Sequence, residues 1–302
     1  MKSNSIVVVA NAGDSSISII DPYILKEVQR IKLFANTGPY DLLNWDPKHH
    51  IIMSQCYNDT LAYVDLINGK VLDTIVLGRR PCYIAHDTKS NMLFITNSDS
   101  DTISIVNGQK MTLEGQMRVG SMPQGIDCNV GMRTIAVANV NSNDVWIIDS
   151  DNFQIKKIIK LNQCPLHIKY SVDGKYLYVG CSCPNSDISG CLIILDTLKY
   201  NIQCKIQLRG LPGQLYDTRC GKYIIVTSMS KGGLDILDIH KGKVIKKLKT
   251  NGMTQGIAVD YEEEYVYVTN TDENSVSVVD WRRGKTVAEI KVGKEPNGII
   301  FI

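Results

Sequence analysis

The chain repeats itself at intervals of roughly 42 residues, and this periodicity restricts the fold more than any motif does. An acidic or amide residue follows two apolar residues once in each copy: Asp21, Asp65, Asn107, Asp149, Asp196, Asp238 and Asp280. A second landmark recurs in the same register: Pro39, Pro81, Pro123, Pro165, Pro212, Thr254 and Pro296. Both series lengthen once by the same five residues, so the two landmarks together indicate seven copies of one structural unit.

Each copy has the pattern of four short strands. In the last complete copy, short runs rich in β-branched and aromatic residues alternate with turn residues, over 255–260, 265–270, 275–280 and 285–292. No stretch has a sustained period of 3.6 residues, so we expect almost no helix. Seven units of four antiparallel strands predict an all-β chain that forms one seven-bladed β-propeller domain over residues 1–302.

The two ends of the chain predict how the ring closes. With strands A to D counted from the centre of each blade outward, the chain begins with a B strand at 5–11 and ends with an A strand at 296–302. We therefore expect one blade to combine both termini. The proline suits the first residue of an inner strand, where no ladder donor is lost, and the aspartate suits the turn after strand C.

Composition and charge exclude several classes of partner. The formal net charge is only +2, so no general attraction to nucleic acid or to an anionic membrane follows. The apolar run near the N-terminus, residues 6–10, is shorter than a signal peptide or a membrane span requires. We therefore expect a cytoplasmic monomer, in which most of the nine cysteines are thiols.

One copy of the repeat carries a recognisable signature. Tyr267-Val268-Thr269-Asn270 is followed by an apolar run that ends at Asp280, and weaker copies stand at 94–97 and 136–139. Over essentially its whole length the chain resembles the YVTN-repeat β-propellers, which include YncE-like bacterial proteins and surface-layer propellers. The resemblance implies the fold and a bacterial type of protein. Because such propellers bind haem, metals, sugars, proteins or DNA, it does not imply one activity.

The repeat also predicts a binding surface. The D–A connections and the B–C loops must share one face of the ring, which we call the top face, and loops on a rigid scaffold often carry function. One or two residues after the proline landmark, several copies carry polar or aromatic side chains in place of glycine. The candidate ligand-binding residues at the mouth of the central channel are Tyr40, Asp41, Tyr83, Gln124, His167, Gln214, Gln255 and Asn297.

The preferred function is a non-enzymatic scaffold that binds a protein, a peptide or a small ligand on its top face, without a cofactor. The alternative is an enzyme of the lactonase or lyase type, with His167, Asp41 and Tyr83 as its candidate residues. The sequence has no G-x-S-x-G, H-E-x-x-H or G-x-G-x-x-G motif, which disfavours the best-known hydrolase and nucleotide sites.

A third hypothesis rests on the cysteines of the fifth blade. Cys164 and Cys181 should face each other across an A–B hairpin, and Cys183 and Cys191 follow in and after the lengthened B–C loop. Four soft ligands on one rim suit zinc or an iron–sulfur cluster, although the spacing of these cysteines is not that of a standard zinc finger. A redox or disulfide pair and plain reduced thiols are the other two interpretations.

Overall fold

The computed structural model describes residues 5–183 and 186–302, with the side chains of 186–188 left out. Seven four-stranded antiparallel sheets form a ring, and the inner strands of neighbouring sheets contact each other all the way round. The chain is thus the predicted seven-bladed β-propeller. One short 3-10 helix, Ala12–Asp14, accompanies the strands, and the described residues include no α-helix or helix long and apolar enough to cross a membrane.

The blades are numbered in ring order, and their strands are given from the channel outward. Blade 1 comprises β28 (Pro296–Phe301), β1 (Val7–Asn11), β2 (Ser16–Asp21) and β3 (Lys26–Lys32). Blade 2 comprises β4 (Pro39–Asp46), β5 (His50–Gln55), β6 (Thr60–Asp65) and β7 (Lys70–Val76). Blade 3 comprises β8 (Pro81–Asp87), β9 (Met92–Asn97), β10 (Thr102–Asn107) and β11 (Thr112–Arg118). Blade 4 comprises β12 (Pro123–Asn129), β13 (Thr134–Asn139), β14 (Asp144–Asp149) and β15 (Ile155–Lys160).

The remaining blades follow the same plan. Blade 5 comprises β16 (Pro165–Tyr170), β17 (Tyr176–Cys183), β18 (Ser186–Asp196) and β19 (Ile202–Leu208). Blade 6 comprises β20 (Pro212–Asp217), β21 (Tyr223–Ser228), β22 (Leu234–Asp238) and β23 (Lys243–Leu248). Blade 7 comprises β24 (Thr254–Val259), β25 (Tyr265–Asn270), β26 (Ser275–Asp280) and β27 (Lys285–Lys291). The landmark proline or threonine begins every inner strand, as predicted.

The termini close the ring as the repeat predicted. Strand β28 pairs with β1 in antiparallel register, with Val9 opposite Ile299 and Val7 opposite Phe301. The amide of Ile6 donates to the Ile302 carbonyl at 2.7 Å, and the Ile302 amide donates back at 2.9 Å. Strand β1 begins at Val7, two residues later than the sequence indicated. Blade 1 is therefore held by the last strand of the chain.

The hydrophobic core lies between the blades. Among the described residues, the buried apolar side chains form seven clusters, and each cluster draws mainly on two neighbouring sheets. The cluster between blades 7 and 1, for example, packs Tyr267 and Val278 against Val7 and Ile299. Because each sheet buries both of its faces in this way, the middle strands combine long apolar runs with polar residues that must be hydrogen-bonded inside the ring.

Two polar contacts recur around the ring and explain the signature residues. The hydroxyl of Thr269 donates at 2.8 Å to the Asn297 carbonyl in the inner strand of the next blade. The side-chain amide of Asn270 donates to the hydroxyls of Ser275 and Ser277, which fixes the B–C loop. Thr96 and Thr227 repeat the first contact, and Asn11 and Asn97 repeat the second.

Candidate functional site

A cavity of about 260 Å³ lies at the top end of the central channel, and all seven blades contribute to its walls. Six of the eight candidate residues line it: Tyr40, Tyr83, Gln124, His167, Gln255 and Asn297. The other wall residues are apolar or small: Met122, Val140, Leu166, Pro212, Gly213 and Met229. The wall thus mixes neutral polar groups with apolar surface, and no lining residue carries a full charge.

The residue directly after the landmark proline is the one that faces the cavity most regularly. Gln124, Gln255 and Asn297 occupy this position, and their carbonyls accept hydrogen bonds of 2.7 to 2.8 Å from Thr96, Thr227 and Thr269 of the preceding blades. These hydroxyls hold the backbone of the three residues while their side-chain amides remain directed at the cavity. Neighbouring blades therefore position the polar wall.

Tyr83 occupies the centre of the channel mouth. Its ring centroid lies 5.4 Å from that of Tyr40 and 5.0 Å from that of His167, and both contacts are edge to face. Its hydroxyl accepts a hydrogen bond of 3.2 Å from the Gln255 side-chain amide on the opposite side of the ring. Burial raises the pKa of Tyr83 above its usual range, so the phenol is neutral at physiological pH.

His167 lines the cavity and has one ring nitrogen without a hydrogen-bond partner among the described residues. This nitrogen, Nδ1, is buried. Burial, together with the positive charge of Lys169, lowers the pKa of His167 to about 3. The imidazole is therefore neutral near pH 7. A buried polar atom without a partner costs about 1–3 kcal/mol, so a movement of the ring that lets a ligand pair with Nδ1 would recover part of that free energy.

Asp41 and Gln214 lie outside the cavity wall. They occupy the same repeat position, and both side chains accept a hydrogen bond of 3.0 Å from a backbone amide of the next blade, Ile84 for Asp41 and Ile257 for Gln214. Burial raises the pKa of Asp41 to about 6, although the amides of Ile84 and Leu42 lower it. Both side chains join neighbouring blades, and a ligand contact by Asp41 or Gln214 stays a prediction.

The three candidate catalytic residues do not assemble into a proton-transfer chain. His167 touches Tyr83 edge to face, but Asp41 directs a carboxylate oxygen at the Ile84 amide and makes no hydrogen bond with His167 in the described residues. An imidazole whose pKa is near 3 is a weak general base at pH 7. The pKa of Asp41, about 6, is closer to 7, but Asp41 does not line the cavity.

Sequence reasoning missed the apolar half of the wall. Met122 and Met229 come from the connections on the top face, and Leu166 occupies the position directly after the landmark proline. Polar side chains in place of glycine identify only part of such a wall, because ligand sites are mostly apolar with a few polar groups. Comparing the copies at the position after proline for any large side chain would have found Leu166.

The cysteines of blade 5 lie close together, as predicted. Pro165 pairs with Cys181 across the A–B hairpin, and the Ser182 amide donates to the Cys164 carbonyl at 3.0 Å. Cys181 and Cys191 are direct partners across β17 and β18, and both are fully buried. All nine cysteines are free thiols. The lengthened B–C loop falls partly outside the described residues.

Cys181 and Cys191 replace the polar contact of the other blades. Cys181 occupies the position of Asn97 and Asn270, and Cys191 occupies that of their hydroxyl acceptors. The hydrogen bond with Cys181 lowers the pKa of Cys191, and burial raises the pKa of Cys181. Within the described residues no group of three or more His, Cys, Asp or Glu side chains is arranged to hold a metal ion. The metal and redox hypotheses stay predictions, which metal and thiol analysis would test.

Comparison with known proteins identifies the fold. A functionally unknown protein from Desulfotomaculum acetoxidans is similar with a TM-score of 0.84 and 14% identity, over 97% of this chain and 98% of that one. Kuenenia stuttgartiensis hydrazine synthase is similar with a TM-score of 0.80 and 20% identity, over 88% and 90% of the two chains. A protein named as a candidate 6-phosphogluconolactonase from Bacteroides uniformis is similar with a TM-score of 0.76 and 16% identity, over 99% of each chain.

No protein-family model matches the chain. No curated protein matches it. At these sequence identities the similar structures show the propeller fold alone, because propellers that share it serve unrelated functions. The chain is therefore assigned to the seven-bladed β-propellers by its structure, and its function has to be argued from the cavity.

Proposed function

We propose that this propeller is a non-enzymatic binding protein that takes a small, uncharged polar molecule into the channel-mouth cavity. The observation that carries the proposal is the cavity wall, where the neutral imidazole of His167 lies with three side-chain amides and one of its ring nitrogens has no partner among the described residues. The alternative as an enzyme has less support, because His167, Asp41 and Tyr83 form no proton-transfer chain.

The size and the polarity of the cavity define the ligand class. A volume of about 260 Å³ lies just below the usual range of roughly 300–1,000 Å³ for ligand pockets. It corresponds to about eight water molecules at ~30 Å³ each. A molecule with several hydroxyl or amide groups suits Gln124, Gln255 and Asn297, and its apolar faces suit Tyr40 and Leu166. A charged ligand would be buried without a counter-charge in the wall, which is unfavourable.

We also propose a family and a cellular compartment for this protein. The contacts of Thr269 and Asn270 give the YVTN signature a physical role, which supports a place among the YVTN-repeat propellers. Nine free thiols support a reducing compartment, so we propose that the protein works in the cytoplasm.

Capture of small molecules from a cell extract tests the proposal. The immobilised protein is equilibrated with the fraction of the extract below 1 kDa, washed and denatured, and the released compounds are measured by mass spectrometry. We expect the wild type to retain an uncharged polar compound that a His167→Leu variant retains at least about tenfold less, the equivalent of ~1.4 kcal/mol. The control variant is His240→Gln, because His240 is exposed in the turn after β22. This variant should retain as much of the compound as the wild type.

Two results would contradict the proposal. Equal retention by the wild type and the His167→Leu variant would show that the cavity does not select the compound. Conversion of a retained compound into a released product by the wild type, but not by the variant, would favour the enzymatic alternative.

A further inference from the structure

A second cavity opens on the face opposite the channel mouth, at the seam between blades 7 and 1. It has a volume of about 350 Å³. Blade 7 supplies the turn between β24 and β25, and blade 1 supplies Tyr23 from the turn after β2 and Phe301 from the end of β28. The two termini of the chain meet here, so the cavity departs from the regular blade-to-blade contact.

Aromatic rings form one part of the wall. The ring of Tyr261 packs edge to face on Phe301 at a centroid distance of 5.2 Å, and Phe301 lies 5.8 Å from the buried ring of Tyr267. Tyr23 and Tyr261 are 58% and 50% exposed, so their rings remain accessible from solvent. Ring faces carry negative electrostatic potential and attract cations that approach within about 6 Å.

Carboxylates form the other part of the wall. Asp260, Glu262 and Glu264 line the cavity, and no lining residue is basic. Among the described residues, neither Glu262 nor Glu264 has an ion-pair partner within 4 Å. The nearby Arg283 is paired with Asp280 at 3.6 Å. The charge of Glu264 raises the pKa of Tyr265, whereas the positive charge of Arg283 lowers it.

We propose that this cavity binds an arginine side chain presented by a partner protein. Carboxylates alone attract any cation, but tyrosine and phenylalanine rings favour a planar, weakly hydrated guanidinium that stacks on them. The carboxylates of Glu262 and Glu264 suit the fork of its N–H donors. This site lies on the opposite face from the cavity that His167 lines, so each proposal can be tested independently of the other.

Titration with two matched probes tests the inference. The 15N-labelled protein is titrated with N-acetyl-arginine methylamide, and in parallel with the citrulline analogue, which has the same shape without the charge. We expect saturable shifts of the Tyr23, Tyr261 and Phe301 amide signals, and binding at least about fivefold weaker for citrulline. Equal binding of the two probes, or no saturable shift at these residues, would overturn the inference.

Variants separate the site from general charge attraction. Glu262→Gln/Glu264→Gln should weaken arginine binding at least about fivefold, whereas Asp73→Asn/Glu114→Gln, the same charge change on exposed residues of other blades, should leave it within about twofold. Tyr261→Leu keeps an apolar residue against Phe301 without changing the charge, and it should also weaken binding about fivefold. Equal weakening by both double variants, or none by Tyr261→Leu, would contradict an aromatic arginine site.

Discussion

Asp41 and Gln214 show how one repeat position can serve the fold with chemically different side chains. Both accept the amide of the residue 43 positions further on, in the next blade, at 3.0 Å. Gln214 makes this contact as a neutral amide, whereas Asp41 makes it as a carboxyl whose pKa burial raises to about 6. An aspartate at this position therefore makes stability depend on pH, and a glutamine does not.

The pH dependence of stability follows from the signs of two shifts. Asp41 binds protons more strongly when folded than when unfolded, so its contribution to stability is lost as pH rises from about 4 to about 6. His167, whose folded pKa is about 3, acts in the opposite direction, because stability is lost as pH falls below about 6.5. The two effects partly cancel in the wild type, so variants are needed to separate them.

We predict that Asp41→Asn stabilises the protein, relative to the wild type, more at pH 7 than at pH 4, by on the order of 1 kcal/mol. His167→Gln should show the reverse trend, because it should raise the free energy of unfolding more at pH 4 than at pH 7. Urea unfolding of the three proteins at both pH values measures these differences. A difference between Asp41→Asn and the wild type that does not change with pH would contradict the raised pKa.

Particular residues show what the sequence could and could not indicate about the site. The repeat placed Tyr83 and His167 at the channel mouth correctly, because the register of the inner strand follows from the proline landmark. It could not show that the Asp41 carboxylate accepts the Ile84 amide of the next blade, because that contact depends on how the twisted strand aims the side chain. The missing partner of His167 Nδ1 likewise depends on packing from other blades.

At the scale of the strand, glycine determines how closely two inner strands approach. A Cβ atom on Gly125 in β12 would lie 2.7 Å from both the His167 Cα and the Ile168 amide nitrogen in β16. The side chain of His167 is thus held at the cavity partly because β12 has no side chain at this point. The structure therefore identifies β16 as the strand that approaches this glycine.

We predict that Gly125→Ala lowers the free energy of unfolding by about 1–3 kcal/mol, because the two backbones must move apart. Gly115→Ala is the matched control: Gly115 lies in the outer strand β11, and a Cβ there meets nothing within 4 Å. It should be neutral or stabilise by up to about 1 kcal/mol. Chemical denaturation measures both, and equal values for the two variants would contradict the packing argument.

At the scale of the whole molecule, the repeat made the ring, the blade number and the closure predictable. Each copy cannot bury both sheet faces alone, so seven copies must pack on one another. The position of the last strand followed from counting strands in the first and last copies. The arginine cavity could not be predicted in this way, because it forms where residues of the two chain ends, Tyr23 and Phe301, meet the turn of blade 7.

We predict that removal of residues 296–302 costs at least several kcal/mol, because it removes β28 and leaves Val7 and Val9 without their cross-strand partners. The matched control is a circular permutant that joins residue 302 to residue 1 and opens the chain in the turn between β10 and β11. This permutant keeps every strand and should unfold at about the same temperature as the full chain. A truncated protein with an unchanged thermal transition would contradict closure by the C-terminal strand.

The most direct test of the account is the 15N NMR spectrum of the His167 ring, assigned by comparison with the His167→Gln variant. We predict a neutral imidazole that does not titrate between pH 5 and pH 8, with an Nδ1 resonance that moves when the compound captured from the extract is added. A ring that titrates near pH 6.5, or an Nδ1 resonance that the compound leaves unchanged, would contradict a buried, unpartnered histidine at the centre of a ligand site.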